Sequence, residues 1–359
     1  MVEKVFNKNK IYLDKKYNFF EIFNPNNGTL IRSNQTGTGA EPFRRSYPEL
    51  IDIGIMGSCE AGRRGLCSKA GVDCYQNGAG SNKANMSLED YEWLIKQFNG
   101  KVFQVALGGA GDPNKHENFA DILKLTREYD VIPNLTTSGL EITDDEIESI
   151  NKYCGAVAVS YYSRLINGVE SNLNTLETIS KFVDSGCITN IHYVVSKETI
   201  DEAIFRFEND LWPHGINAII FLLYKPVGLG KKDKTIKNDA KLTKFLDLAI
   251  NRKYEYSIGF DTCFSTALYK NSSIHPASID SCEAARFSMY IHSDLVAVPC
   301  SFDNLTRRYA YKLKPRTIKE AWESDVFTSF LENKSICKSC KKYVECLGGC
   351  GLDLDIRLC

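Results

Sequence analysis

Thirteen cysteines stand in a chain of 359 residues, and most fall into three ordered groups. The first is Cys59, Cys67 and Cys74. The second is Cys263, Cys282 and Cys300. The third reads Cys337-x2-Cys340-x5-Cys346-x3-Cys350, and Cys359 closes the chain. Thiolates at such spacings are soft ligands that converge on a metal or an iron–sulfur cluster. Three of them on one loop can hold three irons of a 4Fe–4S cube and leave the fourth iron open for chemistry. Eight more can close two further cubes. A zinc knuckle or free thiols would also account for the first group. A pair of zinc sites would account for the last, since C-x2-C serves zinc as well.

The motifs between the cysteines sit where strands end. Asp52-Ile53-Gly54-Ile55-Met56-Gly57-Ser58-Cys59 reads as a buried strand with a cysteine at its C-terminal edge. Ligands and catalytic groups collect at that edge in parallel α/β folds. Ala106-Leu107-Gly108-Gly109-Ala110-Gly111-Asp112-Pro113 ends a second strand, where glycine lets backbone approach a ligand or simply makes a tight turn. It is neither a dinucleotide fingerprint nor a P-loop. Thr136-Thr137-Ser138-Gly139 and Ser160-Tyr161-Tyr162-Ser163 end two more strands. Their hydroxyls suit a ribose, or helix capping. Cys154 and Cys187 stand beside glycines and read as small core residues.

These groups need a scaffold. The 43% hydrophobic content supports a sizeable core, and the length suggests one large domain, alone or with an appendage. A net charge of −1 and a pI near 6.5 exclude a bulk field that would recruit nucleic acid or an anionic membrane. No run approaches the ~20 apolar residues of a membrane span. Met1-Val2-Glu3-Lys4 opens no secretory signal, so the expected location is the reducing cytoplasm. Grouped cysteines there bind metal or do redox chemistry more often than they form disulfides. The five scattered histidines form no H-E-x-x-H site.

Residues 1–48 read as an N-terminal extension. Within it, Phe19-Phe20-Glu21-Ile22-Phe23 and Thr29-Leu30-Ile31 flank an Asn/Pro/Gly turn and predict a β-hairpin, and residues 36–40 a flexible connection. From residue 49 to 262 short apolar runs alternate with amphipathic segments. Strands are expected over 50–56, 101–107, 131–136, 155–160, 188–195 and 217–224. Helices are expected from Ser87 to Gly100, over 116–129, from the capping box Thr143-Asp144-Asp145-Glu146, over 170–185 and over 238–251. Six βα units over ~210 residues suit a partial or open barrel. Residues 263–359 hold eight cysteines but one good helix candidate, 318–331. Such a segment needs staples, which metal clusters supply.

At this point the chain resembles a radical S-adenosylmethionine (radical SAM) enzyme with a C-terminal SPASM domain, over about residues 50–359. In that family a three-cysteine motif, usually C-x3-C-x2-C with an aromatic before the last cysteine, follows the first barrel strand. Here it is C-x7-C-x6-C, with Asp73 before Cys74 and Tyr75 after it, which resembles a loop enlarged by insertion. The SPASM pattern C-x2-C-x5-C-x3-C, with two cysteines before it and one after, matches Cys282, Cys300, Cys337, Cys340, Cys346, Cys350 and Cys359. The resemblance implies an α/β partial (β/α)6 barrel with a cluster-stapled C-terminal domain. It implies three 4Fe–4S clusters: one on Cys59, Cys67 and Cys74 that binds S-adenosylmethionine, an auxiliary one on Cys263, Cys282, Cys300 and Cys350, and a second on Cys337, Cys340, Cys346 and Cys359. It places Gly108, Gly109, Gly111, Asp112, Ser138, Ser160, His192 and Tyr75 around S-adenosylmethionine.

The activity the resemblance implies is reductive cleavage of S-adenosylmethionine to a 5′-deoxyadenosyl radical and hydrogen abstraction from a ribosomally made precursor peptide. A thioether or carbon–carbon crosslink would follow, with residues 1–48 helping to position the peptide. The expected electron donor is a flavodoxin or ferredoxin. A sulfatase-type maturase and a small-molecule dehydrogenase are alternatives within the family. An iron–sulfur electron carrier or a zinc-stapled scaffold is the alternative outside it. No catalytic acid or base is assigned by the sequence.

Overall fold

Apolar residues recur at every second position in the strands. Ile51, Ile53 and Ile55 are buried, whereas Leu50, Asp52 and Met56 on the other face are half-buried. This is a sheet with one face sealed under helices and the other lining a polar space. A computed structural model describes residues 9–34, 43–98, 100–166, 169–171, 173–333, 337 and 339–359. The expected connection over 36–40 lies outside them.

The described strands, in chain order, are β1 Lys10–Asp14, β2 Phe19–Phe23, β3 Leu30–Asn34, β4 Leu50–Met56, β5 Gln104–Gly109, β6 Ile132–Thr137, β7 Val157–Ser160, β8 Leu165–Ile166, β9 Val169–Glu170, β10 Thr189–Val195, β11 Ala218–Leu223, β12 Ser257–Phe260, β13 Ser288–Ile291, β14 Val296–Val298 and β15 Tyr311–Lys312. The helices are α1 Glu60–Arg63, α2 Leu66–Lys69, α3 Leu88–Ile95, α4 Phe119–Glu128, α5 Asp144–Tyr153, α6 Leu173–Asp184, α7 Ile200–Asn209, α8 Ala240–Asn251, α9 Ser265–Asn271, α10 Ile318–Trp322, α11 Asp325–Glu332 and α12 Tyr343–Cys346.

Ten strands form one sheet in the order β12-β11-β10-β7-β6-β5-β4-β13-β14-β15. From β4 to β12 every pair is parallel, with a helix in each crossover, as parallel pairing requires. The six expected strands are all present. A seventh, β12, extends the run; it is short and carries Gly259, so its apolar pattern is faint. The α/β fold with a cysteine-rich C-terminal segment is therefore the fold observed. That segment continues the sheet, because β13 pairs in parallel with β4, Tyr290 opposite Asp52. The helix expected over 318–331 is two helices. Thr317 and Glu320 form a capping box for α10, and the Ser324 hydroxyl takes the N–H of Phe327 to start α11.

The hairpin β2–β3 is present, with β1 as a third strand beside β2. This small sheet packs beneath the N-terminal ends of the barrel strands. Phe23 stacks on Phe103 at 5.1 Å, and Arg45 donates to Glu21 at 2.7 Å in full burial. It thus lies at the edge of the large sheet opposite Cys59.

Candidate cluster and cofactor site

Cys59 leaves the end of β4 as the N-cap of α1, where its sulfur accepts the N–H of Gly62 at 3.1 Å. The residues between Cys59 and Cys74 coil into two single turns, α1 and α2, separated by Gly65 at φ 73°. Only glycine enters that left-handed region without strain. The wide spacing is thereby compacted, and the three thiols act on one another. Burial raises the thiol of Cys59, aided by Asp112 and Cys74. Burial, then Cys59, Asp112 and Cys74, push that of Cys67 up to about 12. The loop is pinned from both sides. A Cβ on Gly78 would stand 1.9 Å from the Ala110 carbonyl, and one on Gly228 2.2 Å from that of Tyr75. Leu229 donates its N–H to the Cys74 carbonyl at 3.0 Å. The Tyr224 hydroxyl and Lys234 both bind Asp73, at 2.9 and 2.8 Å.

At the end of β5 the two glycines differ. Gly109, at φ 131°, packs against Met56, whose carbonyl oxygen would be 2.5 Å from an added Cβ. Gly108 faces open space, with nothing within 4 Å of its Cβ position. Gly111 lies against Ser58 and Cys59. Asp112 accepts the N–H of Ser138 at 2.8 Å and is also bonded by its hydroxyl. Burial raises this carboxyl despite those bonds. Ser160 and His192 are register neighbours on β7 and β10, half-buried on the polar face, and burial holds the imidazole down at about 4. Tyr75 packs on Phe302 at 4.9 Å. Burial lifts its hydroxyl to about 12, with Asp52, Cys74 and Cys300 adding to the shift. Its hydroxyl thus lies within electrostatic reach of a thiol from the first cysteine group and one from the second.

The C-terminal cysteines divide as follows. Burial raises Cys263, with Cys350 and Cys282 adding to it and Lys225 opposing. Cys300 responds likewise to Cys282 and Cys350, so these four thiols lie within electrostatic reach of one another, brought there from the ends of β12 and β14, the approach to β13, and the turn after α12. Cys346 is raised by burial and by Cys359 and Cys337. Cys340 is exposed and joins that neighbourhood through a turn, donating its N–H to the Cys337 carbonyl at 2.8 Å. Arg357 ties the two groups together: Nη1 donates to Cys337 Sγ at 2.9 Å and Nη2 to the Cys350 carbonyl at 2.8 Å. Among the described residues no three His, Cys, Asp or Glu side chains meet closely enough to hold a single metal ion.

Sequence reasoning passed over three groups here. Tyr162 stands two residues beyond Ser160 on the same face, and its hydroxyl is raised by burial, Cys67 and Asp112; period-two alternation past the strand end would have found it. Asp52 is a carboxyl within an apolar strand, and that break in pattern was the signal. Burial, reinforced by Glu283, raises it to about 7. Lys225, ion-paired with Asp261 beside Cys263, stands in the segment 224–228 after the sixth expected strand, which resembles a cofactor-side element of the family; Arg357 carried no sequence signal, since its partners are distant in the chain.

No protein-family model matches the chain, and no curated protein matches it. Its fold is similar to several solved structures. One is SuiB of Streptococcus suis (TM-score 0.68, 16% identity, 96% of this chain and 94% of that one). A second is SuiB bound to the precursor peptide SuiA (TM-score 0.64, 19% identity, 86% and 72%). A third is native anSMEcpe with bound AdoMet (TM-score 0.58, 19% identity, 84% and 89%). At these identities the likeness establishes the fold. Among the described residues no helix is long and apolar enough to cross a membrane.

Proposed function

We propose that this chain is a radical SAM enzyme that modifies a ribosomally made peptide. The observation that carries the reading is the gathering of Cys59, Cys67 and Cys74 at the C-terminal edge of the parallel sheet, beside the open space at Gly108. The similar folds hold AdoMet in one case and a precursor peptide in another. The residues present fit the cofactors. Three soft donors share one wall, a glycine leaves room next to them, and Arg357 and backbone N–H groups point at the sulfurs of the other sites. Each iron of a cube takes its own thiolate, so cube ligands need not meet at a point as zinc ligands do. The assignment is one cube on Cys59, Cys67 and Cys74, one on Cys263, Cys282, Cys300 and Cys350, and one on Cys337, Cys340, Cys346 and Cys359.

When bound, the first cluster with S-adenosylmethionine supplies a 5′-deoxyadenosyl radical for hydrogen abstraction from the peptide. The chain supplies position and protection. Asp112 and Ser138, fixed on each other, form a polar ledge beside Gly108 for the amino-acid end of the cofactor, while Ser160 and His192 line the same face. The loop 224–229 packs its backbone against Cys74 and Tyr75. An oxidative thioether or carbon–carbon crosslink would also release a proton, and Asp52 is the group on this face able to accept one near neutrality. A flavodoxin- or ferredoxin-type donor and the cytoplasm complete the reading.

Anaerobic reconstitution tests this. About twelve irons and twelve sulfides per chain are expected for three cubes, together with 5′-deoxyadenosine on reduction. Zinc without sulfide would refute it.

A further inference from the structure

We propose that a pocket between the end of β4, the return limb of the cysteine loop and the turn after β13 binds an α-carboxylate together with the N–H on its own α-carbon, as at the end of a peptide or in a free amino acid. The pocket has a volume of about 180 Å³. One water needs ~10–15 Å³, so it has room for much more than a structural water. None of the cysteines, and none of the residues assigned to S-adenosylmethionine, lines it.

Two buried polar atoms on its wall lack a partner among the described residues: Asn304 Oδ1 and His292 Nε2. Both side chains are more than nine-tenths buried. The Asn304 amide has spent its N–H groups on the Tyr75 carbonyl at 2.7 Å and on Gln76 Oε1 at 3.0 Å. Its oxygen therefore waits for a donor, and leaving it unmet is costly. An N–H from the ligand meets that demand.

The charge on the rim asks for an anion. Lys83 Nζ and Arg307 Nη1 share a single carboxylate, Asp294, at 2.9 and 2.8 Å. A third cation, Lys312, donates to the Asp294 carbonyl oxygen at the same corner. Burial and the neighbouring Arg307 hold the His292 imidazole down at about 3, so it stays neutral and adds no charge of its own. Tyr290, the remaining titratable group on the wall, receives the Gln76 amide at 3.4 Å. Two lining cations, Lys83 and Arg307, against the one carboxylate they share leave the site positive, and a carboxylate completes it.

The pocket's chemistry stands by itself; only the assignment of the carboxylate to a substrate peptide rests on the function proposed above. The test is calorimetric titration of the full-length protein, with and without reconstituted clusters, using N-acetylglycine, N-acetylglycinamide and glycine. N-acetylglycine should bind with Kd of about 1 mM or tighter, and the amide about tenfold more weakly. Lys83 is half-exposed, so Lys83→Gln should keep the fold, checked by circular dichroism, and remove most of that preference. N-acetylglycine favoured over glycine points to a peptide end, and the reverse to a free amino acid. Equal binding of acid and amide overturns the proposal, as does no binding by any probe up to about 10 mM. Binding to cluster-free protein that persists where no 5′-deoxyadenosine forms would leave the pocket standing while the enzyme reading falls.

Discussion

Asp52→Asn isolates a single buried carboxyl. Asp52 lies on the polar face of β4 opposite Tyr290, has no ion pair among the described residues, and is faced by Tyr75, Tyr290 and Glu283. Burial, with Glu283, raises it from the model-compound value of 3.8 to about 7. A raised carboxyl pKa means that the folded chain binds this proton more tightly than the unfolded chain. Stability then falls as pH climbs from the unfolded value to the folded one, and the penalty is constant above. At 1.36 kcal/mol per unit the full penalty is about 4 kcal/mol, of which about 1.5 is already present at pH 5. The loss between pH 5 and 8.5 is thus about 3 kcal/mol, or nearer 2 after allowance for the partial exposure of the group. For a chain of this length that corresponds to a fall of about 3 °C in Tm. Thermal unfolding of wild type and Asp52→Asn at matched scan rates should show the difference opening in favour of the variant as pH rises. Parallel Tm curves from pH 5 to 8.5 would refute the reasoning.

Cys74→Ala should abolish 5′-deoxyadenosine formation while about eight of twelve irons remain; retention of normal cleavage removes Cys74 from the first site. Gly108→Val should leave the circular dichroism unchanged but weaken S-adenosylmethionine binding at least tenfold in equilibrium dialysis, since its side chain enters open space. Gly109→Ala should instead destabilise the fold by about 1–3 kcal/mol, because φ is 131° and the new Cβ meets Met56. Arg45→Met removes the donor to the Glu21 carboxyl and to the carbonyls of Tyr47, Pro48 and Lys101. With Glu21 itself raised by burial, the expected cost is that of the orphaned acceptors, about 3–5 kcal/mol, seen as faster hydrogen exchange in β1–β3.

Much of the scaffold was legible because its causes are local. Thr143 and Glu146 sit three apart, and the capping box they predict is present. Ile51, Ile53 and Ile55 alternate, and β4 follows. The break between α10 and α11 was also local, in Ser324, yet the apolar stripe running through it masked the restart. β12 was harder to see, since four residues with a glycine show little period and only pairing with β11 makes them a strand.

By itself the sequence determined which atoms are available: soft thiolates in three groups, glycines where backbone must approach backbone, and a chain able to form βα units. Spacing and periodicity are properties of neighbours along the chain, so they can be read there. Only the tertiary structure decided which thiols keep company. Cys263 and Cys350 lie far apart in sequence, yet Cys350 adds to the raised proton affinity of Cys263, and Arg357 spans two groups. It also decided that Asn304 Oδ1 and His292 Nε2 would be buried without a partner among the described residues, and that burial would raise Asp52. Burial and charge proximity depend on what folds over a residue, and that is set by the whole sheet rather than by any segment of it.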